Sequence, residues 1–495
     1  MEIIEGGKES KMCKRVLGLF ICIALLVSSQ IVYAAEVKKD NTSPYVVAGV
    51  MHSIQLEKDG TVWSFGRRPG LFHSSQVGKQ AGGALEHIKL VSTGYAHSAA
   101  LDNDGRVWMW GENKAGQLGQ GDEKEYYAAV PVRFEKNETI RSVSAGYDHT
   151  LALTEGGNVW AWGSNRYSQL GDGSADNRNK PIPVKGNNKK PLDGISAISA
   201  GFGFSLALTE EGEVWTWGNQ GKTDGRLQKV TKNVGGKPVP LSGIVSISAG
   251  FDHALALDRN GTLYAWGLNR NGQLGVGSNT IYSLHAVEVK GLPKLTSISA
   301  GSQMSAAIDE AGNVWSWGVS YRTDLKKAIN RFQPMRVTEG THFIQVSVGD
   351  LHGMAVDEED QVWVWGNNEY GQLGHATAGW SFNDPVVKRK LDRGTLASVT
   401  ESSASIEKSY VVDDERVIKL TLQLKDNNGK LLYQKWPTAE AELPGREPIV
   451  APFKLERDSA GKYTTELRLP QYYMHTKIKI RVDHQTIVEL IDESP

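Results

Sequence analysis

A histidine register recurs along the chain and is the most obvious candidate for chemistry. The register holds, in chain order, His52, His97, His149, Phe204, His253, Met304 and His352. Imidazoles can bind metals or transfer protons, but both roles need several groups that converge at one point. Phe and Met in the same register indicate a slot for a packed side chain. We therefore expect buried histidines whose ring nitrogens bond nearby backbone, with no metal site and no catalytic residue.

Carboxylates recur near the turns of the same repeat and are the second candidate. They are Glu155, Glu210, Asp309 and Glu358. Carboxylate pairs can perform acid–base catalysis, but turn positions favour solvated side chains. The longest irregular segments, 221–240 and 320–334, are rich in Lys and Arg, which argues against a cell-wall hydrolase or lyase. No zinc-protease, phosphate-loop or nucleophile-elbow motif occurs. The sequence predicts a non-enzymatic protein without a cofactor.

The elements that position these residues belong to a repeat with a constant internal spacing. Each copy begins at a glycine: Gly49, Gly94, Gly146, Gly201, Gly250, Gly301 and Gly349. Seventeen residues later, a second glycine closes an aromatic-x-aromatic-Gly motif, as in Trp160-Ala161-Trp162-Gly163. These motifs contain 12 of the 14 tryptophans. The tryptophan content of the chain is therefore a property of the repeat.

Each 17-residue unit is predicted to be a β-hairpin. An alternating apolar run leads into a turn that carries glycine in six copies and Asp360 in the seventh. A strand before the unit and a Pro-Val segment after it complete four strands. Seven such units predict an all-β, seven-bladed β-propeller over residues 45–392. We expect the strand at Pro385-Val386 to join the N-terminal strands in one blade and latch the ring, with closure by packing alone as the alternative.

The repeat pattern I-S-A-G-x-x-H-S-L-A-L-T-x-x-G-x-V-W-x-W-G-x-N-x-x-G-Q-L-G resembles the regulator of chromosome condensation repeat. GQLG is intact at 116–119, 272–275 and 371–374, and becomes SQLG at 168–171. The resemblance implies a seven-bladed propeller, in agreement with the repeat count. The family includes a guanine-nucleotide exchange factor that uses a basic tail and a wedge-like insertion. We identify neither in this sequence, so exchange activity is kept only as an alternative.

Residues 395–495 lack the repeat and are predicted to form a small β-sandwich. The run 417–424 alternates strictly between apolar and polar residues, and further short strands follow it. The segments LTLQLKDNNGKLL and ERDSAGKYTTELRLP resemble bacterial immunoglobulin-like domains. That resemblance implies a spacer or a binding module.

Residues 1–35 have the pattern of a secretory signal peptide. Basic residues between Lys8 and Arg15 precede an apolar run at 16–27, and small residues follow. We expect cleavage after Ala34 or Ala35, no membrane span afterwards, and a secreted or cell-surface protein; an uncleaved anchor is the alternative. Both cysteines, Cys13 and Cys22, lie in this segment. The mature chain therefore has no disulfide and no thiolate ligand.

The residues between each first glycine and the histidine register are the best candidates for binding. They lie in the loop between the first and second strands, so all copies emerge at one end of the propeller, here called the aromatic end. The candidates are Tyr95, Tyr147, Asp148, Phe202, Phe251, Asp252 and Asp350. Tyr95, Tyr147, Phe202 and Phe251 form what we call the aromatic crescent. Clustered aromatics on a rigid scaffold are typical of binding faces, although packing against the neighbouring blade is the alternative.

The predicted function is that of an exported bacterial binding or scaffold protein. Its partner is expected to be a protein or a cell-envelope glycan, bound at the aromatic end, and the chain itself is expected to be monomeric. A formal net charge of −1 without a basic block argues against nucleic acid. A specific alternative is a secreted inhibitor, because the crescent lies where beta-lactamase inhibitors of this repeat superfamily carry aromatic loops.

Overall fold

The computed structural model describes residues 45–66, 75–81, 84–135, 138–186, 190–219, 226–277, 279–322, 327–374, 380–388, 402–412, 415–425, 438–443, 449–452, 454–455, 462–470, 476–482 and 485–491. Within these ranges the regular elements are β-strands, and no helix is both long and apolar enough to cross a membrane. The expected signal peptide lies outside the described residues.

The first half of the repeat region forms four consecutive four-stranded antiparallel blades. Blade 1 comprises β1 (Tyr45–Ala48), β2 (His52–Leu56), β3 (Val62–Gly66) and β4 (Ser75–Gln76). Blade 2 comprises β5 (Ile88–Thr93), β6 (His97–Asp102), β7 (Val107–Gly111) and β8 (Tyr126–Pro131). Blade 3 comprises β9 (Ile140–Ala145), β10 (His149–Thr154), β11 (Val159–Gly163) and β12 (Arg178–Pro183). Blade 4 comprises β13 (Ile195–Ala200), β14 (Phe204–Thr209), β15 (Val214–Gly218) and β16 (Gln228–Lys229).

Three more blades follow, and a hairpin of β17 (Thr231–Val234) and β18 (Lys237–Pro240) precedes them. Blade 5 comprises β19 (Ile244–Ala249), β20 (His253–Asp258), β21 (Leu263–Leu268) and β22 (Tyr282–Glu288). Blade 6 comprises β23 (Leu295–Ala300), β24 (Met304–Asp309), β25 (Val314–Arg322) and β26 (Lys327–Arg336). Blade 7 comprises β27 (Phe343–Val348), β28 (His352–Asp357), β29 (Val362–Asn367) and β30 (Trp380–Lys388). The first strands of neighbouring blades contact one another all round the ring, so they line the central axis.

The predicted hairpins form in the expected register. His149 pairs with Gly163, and Leu153 pairs with Val159 across the turn. That turn needs a left-handed residue, and Gly157 supplies it at φ 77°. In blade 7 the same position is Asp360 at φ 64°, one of the few residue types other than glycine that tolerate this conformation.

The cores lie between blades, where one blade's apolar side chains meet the next. Between blades 2 and 3, Leu101 and Met109 pack with Val143 and Trp162, all fully buried. Because each blade buries both of its faces, both positions of the alternating pattern are apolar, as in Leu151-Ala152-Leu153. The first strands add polar cross-links: Ser144 Oγ accepts from Ala200 N at 3.0 Å.

The ring closes between blades 7 and 1 without the expected latch, so that prediction was wrong. The strand that contains Pro385-Val386 is β30, and it pairs with β29 inside blade 7. Blade 1 is built entirely from residues 45–76. Closure instead uses a serine hydrogen bond that also joins five other pairs of neighbouring blades, and a glutamine pairing at this interface. Ala48 N donates to Ser347 Oγ at 2.9 Å, and the Gln345 amide exchanges two hydrogen bonds with the Val46 backbone.

Both segments expected to be irregular contain regular strands, which corrects that interpretation. Within 221–240, the β17–β18 hairpin pairs in parallel with β22 at Lys232 and Ala286 and extends the blade 5 sheet to six strands. In blade 6, β25 and β26 stay paired beyond Gly318 as far as Arg322 and Lys327. The polar composition hid these strands because their outer positions face solvent.

Two further four-stranded sheets follow the propeller. One has the order β31 (Ser403–Val412), β32 (Glu415–Gln423), β36 (Lys462–Pro470) and β35 (Lys454–Leu455). The other has the order β34 (Ile449–Pro452), β33 (Thr438–Glu442), β37 (Lys477–Val482) and β38 (Gln485–Ile491). Ile418 and Leu420 of the first sheet share a hydrophobic core with Ala439 and Ile478 of the second.

Candidate functional site

The histidine register is buried and forms hydrogen bonds between blades. Each histidine Nε2 meets the hydroxyl of the residue that follows the register position in the next blade. The pairs are His52–Ser98 (2.8 Å), His97–Thr150 (3.1 Å), His149–Ser205 (3.0 Å), His253–Ser305 (2.8 Å) and His352–Ser53 (2.8 Å). The last pair joins blade 7 to blade 1. The partner of Nε2 is thus a side-chain hydroxyl, and our expectation of a backbone partner was wrong.

The hydroxyls fix which imidazole nitrogen carries the proton. Ser205 Oγ donates to the Gln169 carbonyl oxygen at 2.8 Å. Because that bond uses the only hydroxyl proton, His149 Nε2–H must donate to Ser205. The same carbonyl accepts the indole N–H of Trp217 at 2.7 Å. The Gln169 carbonyl oxygen, in the QLG segment of blade 3, therefore accepts two hydrogen bonds from blade 4. The histidine of blade 3 acts as a structural hydrogen-bond donor to blade 4.

Two interfaces lack this pair, and both partners change together. Phe204 takes the histidine position in blade 4, and blade 5 then has Ala254 in place of the hydroxyl residue. Met304 takes the histidine position in blade 6, and blade 7 then has Gly353 in place of the hydroxyl residue. An apolar filler thus always faces a residue without a hydroxyl. The paired replacement of histidine and hydroxyl residue is visible in the sequence, but its meaning depends on the structure, which shows that the two residues are in contact.

We expect the His149 and Ser205 substitutions to be strongly coupled. His149→Phe alone should lower the free energy of unfolding by about 2 kcal/mol, because it leaves the Ser205 oxygen without its donor in a dry interface. Ser205→Ala should cost about 1–2 kcal/mol by the same reasoning. The double variant recreates the Phe204–Ala254 type of interface, so its loss should be smaller than the sum. Urea unfolding of all four proteins measures the coupling; strict additivity would contradict the paired role.

One turn carboxylate differs from the expectation of a solvated residue. Glu155, Glu210 and Glu358 are exposed as expected, but Asp309 is buried. Its carboxylate accepts from the Trp315 indole at 2.9 Å. Burial raises the pKa of Asp309, but hydrogen bonds from Trp315 and Asn313 outweigh it and hold the pKa below its usual value. This residue is an anchor for the first tryptophan of its blade.

The aromatic crescent forms one contiguous cluster at the mouth of the central channel. Tyr95 and Tyr147 stack with ring centroids 4.2 Å apart, as do Phe202 and Phe251. The pairs meet edge to face, with Tyr147 at 4.7 Å from Phe202 and 5.5 Å from Phe251. All four side chains are half-buried. The rings therefore pack against rings from neighbouring blades and remain partly exposed at the aromatic end.

A fifth ring joins the crescent and was missed in the sequence. Tyr167, from the loop of blade 3 that ends in SQLG, lies 5.9 Å from Phe202. Its signal was an aromatic residue immediately before SQLG at 168–171. The backbone beneath the cluster is cross-linked, because Tyr147 N donates to Gly201 O at 3.0 Å and Phe251 N to Gly301 O at 3.1 Å. The cluster therefore rests on a rigid support.

The three predicted acidic residues are half-buried at the same end but do not form a metal site. Burial raises the pKa of Asp148 to about 6, and the Glu112 carboxylate adds to this rise. Burial also raises the pKa values of Asp252 and Asp350. Among the described residues there is no cluster of His, Cys, Asp and Glu that could hold a metal ion.

Family models match the blades directly. Models described as the regulator of chromosome condensation (RCC1) repeat match residues 104–153, 156–208, 260–308 and 359–393, and, in a second version, 88–117, 140–169, 195–223, 244–273 and 343–372. Together they cover about half of the chain. The chain belongs to the RCC1 repeat family. The observed blades are its repeats, as the opening pattern indicated.

Relatives in the RCC1 family differ widely in what else they contain. The chain is 27% identical over 302 residues to the ultraviolet-B receptor UVR8 of Arabidopsis thaliana, covering 59% of this chain and 55% of the receptor. It is 32% identical over 217 residues to the human E3 ubiquitin-protein ligase HERC2, covering 38% of this chain and 4% of the ligase. The matched region thus spans about half or less of these relatives, so their activities do not transfer with the fold.

Solved RCC1-type structures share the fold at low identity. Yeast RCC1 (Prp20) bound to Kap60 superposes with a TM-score of 0.55 at 20% identity, covering 79% of this chain and 91% of that one. Human WBSCR16 gives a TM-score of 0.54 at 21% identity, covering 64% of this chain and 84% of that one. These likenesses support an RCC1-type propeller.

Proposed function

We propose that this chain is an exported, non-enzymatic propeller that binds a protein partner through its aromatic end. The observation that carries the proposal is the crescent, a cluster of half-buried rings that spans blades 2 to 5 on a cross-linked backbone. Rigid aromatic anchors supply much of the binding energy at protein interfaces. The comparison with Prp20p, whose structure was described together with its binding to Gsp1p and histones, supports a protein as the partner class.

The ring geometry favours a protein over a glycan at this end. Sugars bind aromatic residues mainly through exposed ring faces, whereas stacking covers one face of each ring in the Tyr95–Tyr147 pair and in the Phe202–Phe251 pair. Clustered, half-buried rings suit side-chain packing in a protein interface. The inhibitor and exchange-factor alternatives are not favoured, since the rings lie packed over the channel and no feature specific to either activity supports them.

The C-terminal module and the location complete the proposal. We assign residues 395–495 the role of an immunoglobulin-like spacer behind the propeller, on the basis of their sequence resemblance. Export rests on the pattern of residues 1–35. In this account the propeller is held at or outside the cell surface with its aromatic end available to the partner.

The test compares capture of proteins from envelope and whole-cell fractions by two variants. Tyr147→Ala/Phe202→Ala/Phe251→Ala should lose at least about tenfold of the captured partner, because each anchor at a hot spot contributes 2 kcal/mol or more. The matched control is Tyr127→Ala/Ile281→Ala/Leu284→Ala, which removes residues that are 53%, 63% and 54% exposed on outer strands and the loop that leads into one. Circular dichroism and the Tm establish that both fold. Equal capture by the crescent variant and the control would reject the proposal.

A further inference from the structure

The first glycines of the seven repeats, from Gly49 to Gly349, surround the central channel beneath the crescent and are here called the glycine ring. A cavity lies in the channel on the far side of this ring from the crescent. Its volume is about 140 Å³. The wall is formed by the first strands of the blades and includes Tyr45, Ser297 and Gln345. None of its lining residues is charged. A ligand suited to this cavity is therefore neutral, since nothing in the wall compensates an ion.

Six serines form a ring in this cavity, one from each blade except the first. They are Ser92, Ser144, Ser199, Ser248, Ser299 and Ser347. Each Oγ accepts a backbone N–H from the next blade, at 2.9–3.0 Å. Within the described part of the chain, none of these hydroxyls donates to a protein atom. Each therefore offers the cavity one donor and one remaining lone pair.

Two further residues with hydroxyl groups, Ser297 and Thr93, line the cavity beside the ring. Ser297 lines the cavity and is only 5% exposed. Thr93 Oγ1 lies at the blade 1–2 interface, is buried and lacks a hydrogen-bond partner among the described residues. A buried hydroxyl without a partner, such as that of Thr93, is uncommon and carries a desolvation penalty. Tyr45 adds an aromatic wall beside them.

We propose that this cavity binds a small, neutral, polyhydroxylated molecule of about monosaccharide size. Each hydroxyl of such a ligand both donates and accepts, which matches the hydrogen-bonding capacity left on the serine ring. The Tyr45 ring supplies an apolar surface for the C–H face of a sugar. This site lies on the other side of the glycine ring from the crescent and does not depend on the protein-binding function proposed above.

The test is calorimetric titration of the purified full chain with glucose, galactose and glycerol, and with phosphate and acetate as anionic probes. A neutral polyol should bind at one site with a dissociation constant in the millimolar range, and the anions should not bind. Ser297→Val keeps the side-chain volume but removes the hydroxyl, so affinity should fall about three- to tenfold. Should Ser297→Val fold poorly, Tyr45→Leu is the second variant, because it removes the aromatic surface and should also lower polyol affinity.

Phe202→Ala, on the opposite side of the glycine ring, is the control and should leave polyol affinity unchanged. The proposal is overturned by preference for an anion, by the absence of polyol binding at tens of millimolar, or by unchanged affinity in both cavity variants. Loss of affinity in Phe202→Ala would also overturn it, because the sugar would then lie at the crescent. Loss of protein capture by the crescent variant is a separate readout, so the two proposals can fail independently.

Discussion

Replacing Gly349 with alanine is expected to lower the free energy of unfolding by at least about 3 kcal/mol, or to prevent folding. Gly349 lies where blade 7 meets blade 1. A Cβ on this residue would overlap the carbonyl oxygen of Gly49 and crowd the His352 ring. The Gly49 carbonyl oxygen belongs to the backbone, so it cannot relieve the overlap by rotating as a side chain could. The added methyl group would therefore force apart the interface that closes the ring.

Gly156→Ala is the matched control for this prediction. A Cβ there would meet nothing nearer than Asn158 Nδ2 at 3.5 Å, and the residue has no positive φ. Alanine should be neutral or slightly stabilising at that position, because it restricts the unfolded chain. Chemical unfolding of the two variants provides the comparison. Similar stabilities for both would show that the first glycines are not required for close approach between blades.

Acidification from pH 7 to pH 5.5 is expected to lower the free energy of unfolding by about 3–4 kcal/mol. Burial lowers the pKa of His97 to about 4, and those of His149, His253 and His352 to about 3. Well above pH 6.5 these imidazoles are neutral in both the folded and the unfolded chain, and their contribution to the free energy of unfolding is fully present. As the pH falls, the unfolded chain takes up protons that the folded chain cannot, so stability declines towards pH 4.

Asp148, Asp252 and Asp350, whose pKa values are all raised by burial, oppose this loss but do not cancel it. The pKa of Asp148, raised to about 6, means that this residue alone lets the folded chain bind up to one proton more than the unfolded chain between about pH 6 and pH 4. Urea unfolding at several pH values measures the net slope. The variant His149→Phe/Ser205→Ala removes one of the four titrating imidazoles and should have a shallower slope. Stability that is flat or rises on acidification would contradict neutral, buried histidines.

The fold could be predicted because its signals are local and repeated. The fixed offset from Gly146 to Gly163 specifies a hairpin, and seven copies specify the number of blades. Asp360 could be assigned to a left-handed turn by its register alone, and its φ of 64° confirms it. Closure could not be predicted in this way. It depends on contacts such as Ser347 with Ala48, which are 299 residues apart and follow no spacing rule within one repeat.

The candidate site was predicted in part. Placement of the crescent at one end followed from the repeat register, and its four rings do meet. Their mutual stacking, and the addition of Tyr167, depend on side-chain directions in loops that the pattern does not encode. The histidine partners were missed because each belongs to the next repeat. A comparison of each register residue with the following copy would have revealed Phe204 opposite Ala254 and Met304 opposite Gly353.

The most direct measurement of the central claim is photo-crosslinking from the crescent. A benzophenone amino acid is placed at position 147 in one protein and at position 284, on the outer strand of blade 5, in another, and each is exposed to envelope fractions and irradiated. Crosslinking of one partner protein from position 147, with little or none from position 284, is the result we predict. Crosslinking of the partner from position 284 and not from position 147 would contradict binding at the aromatic end.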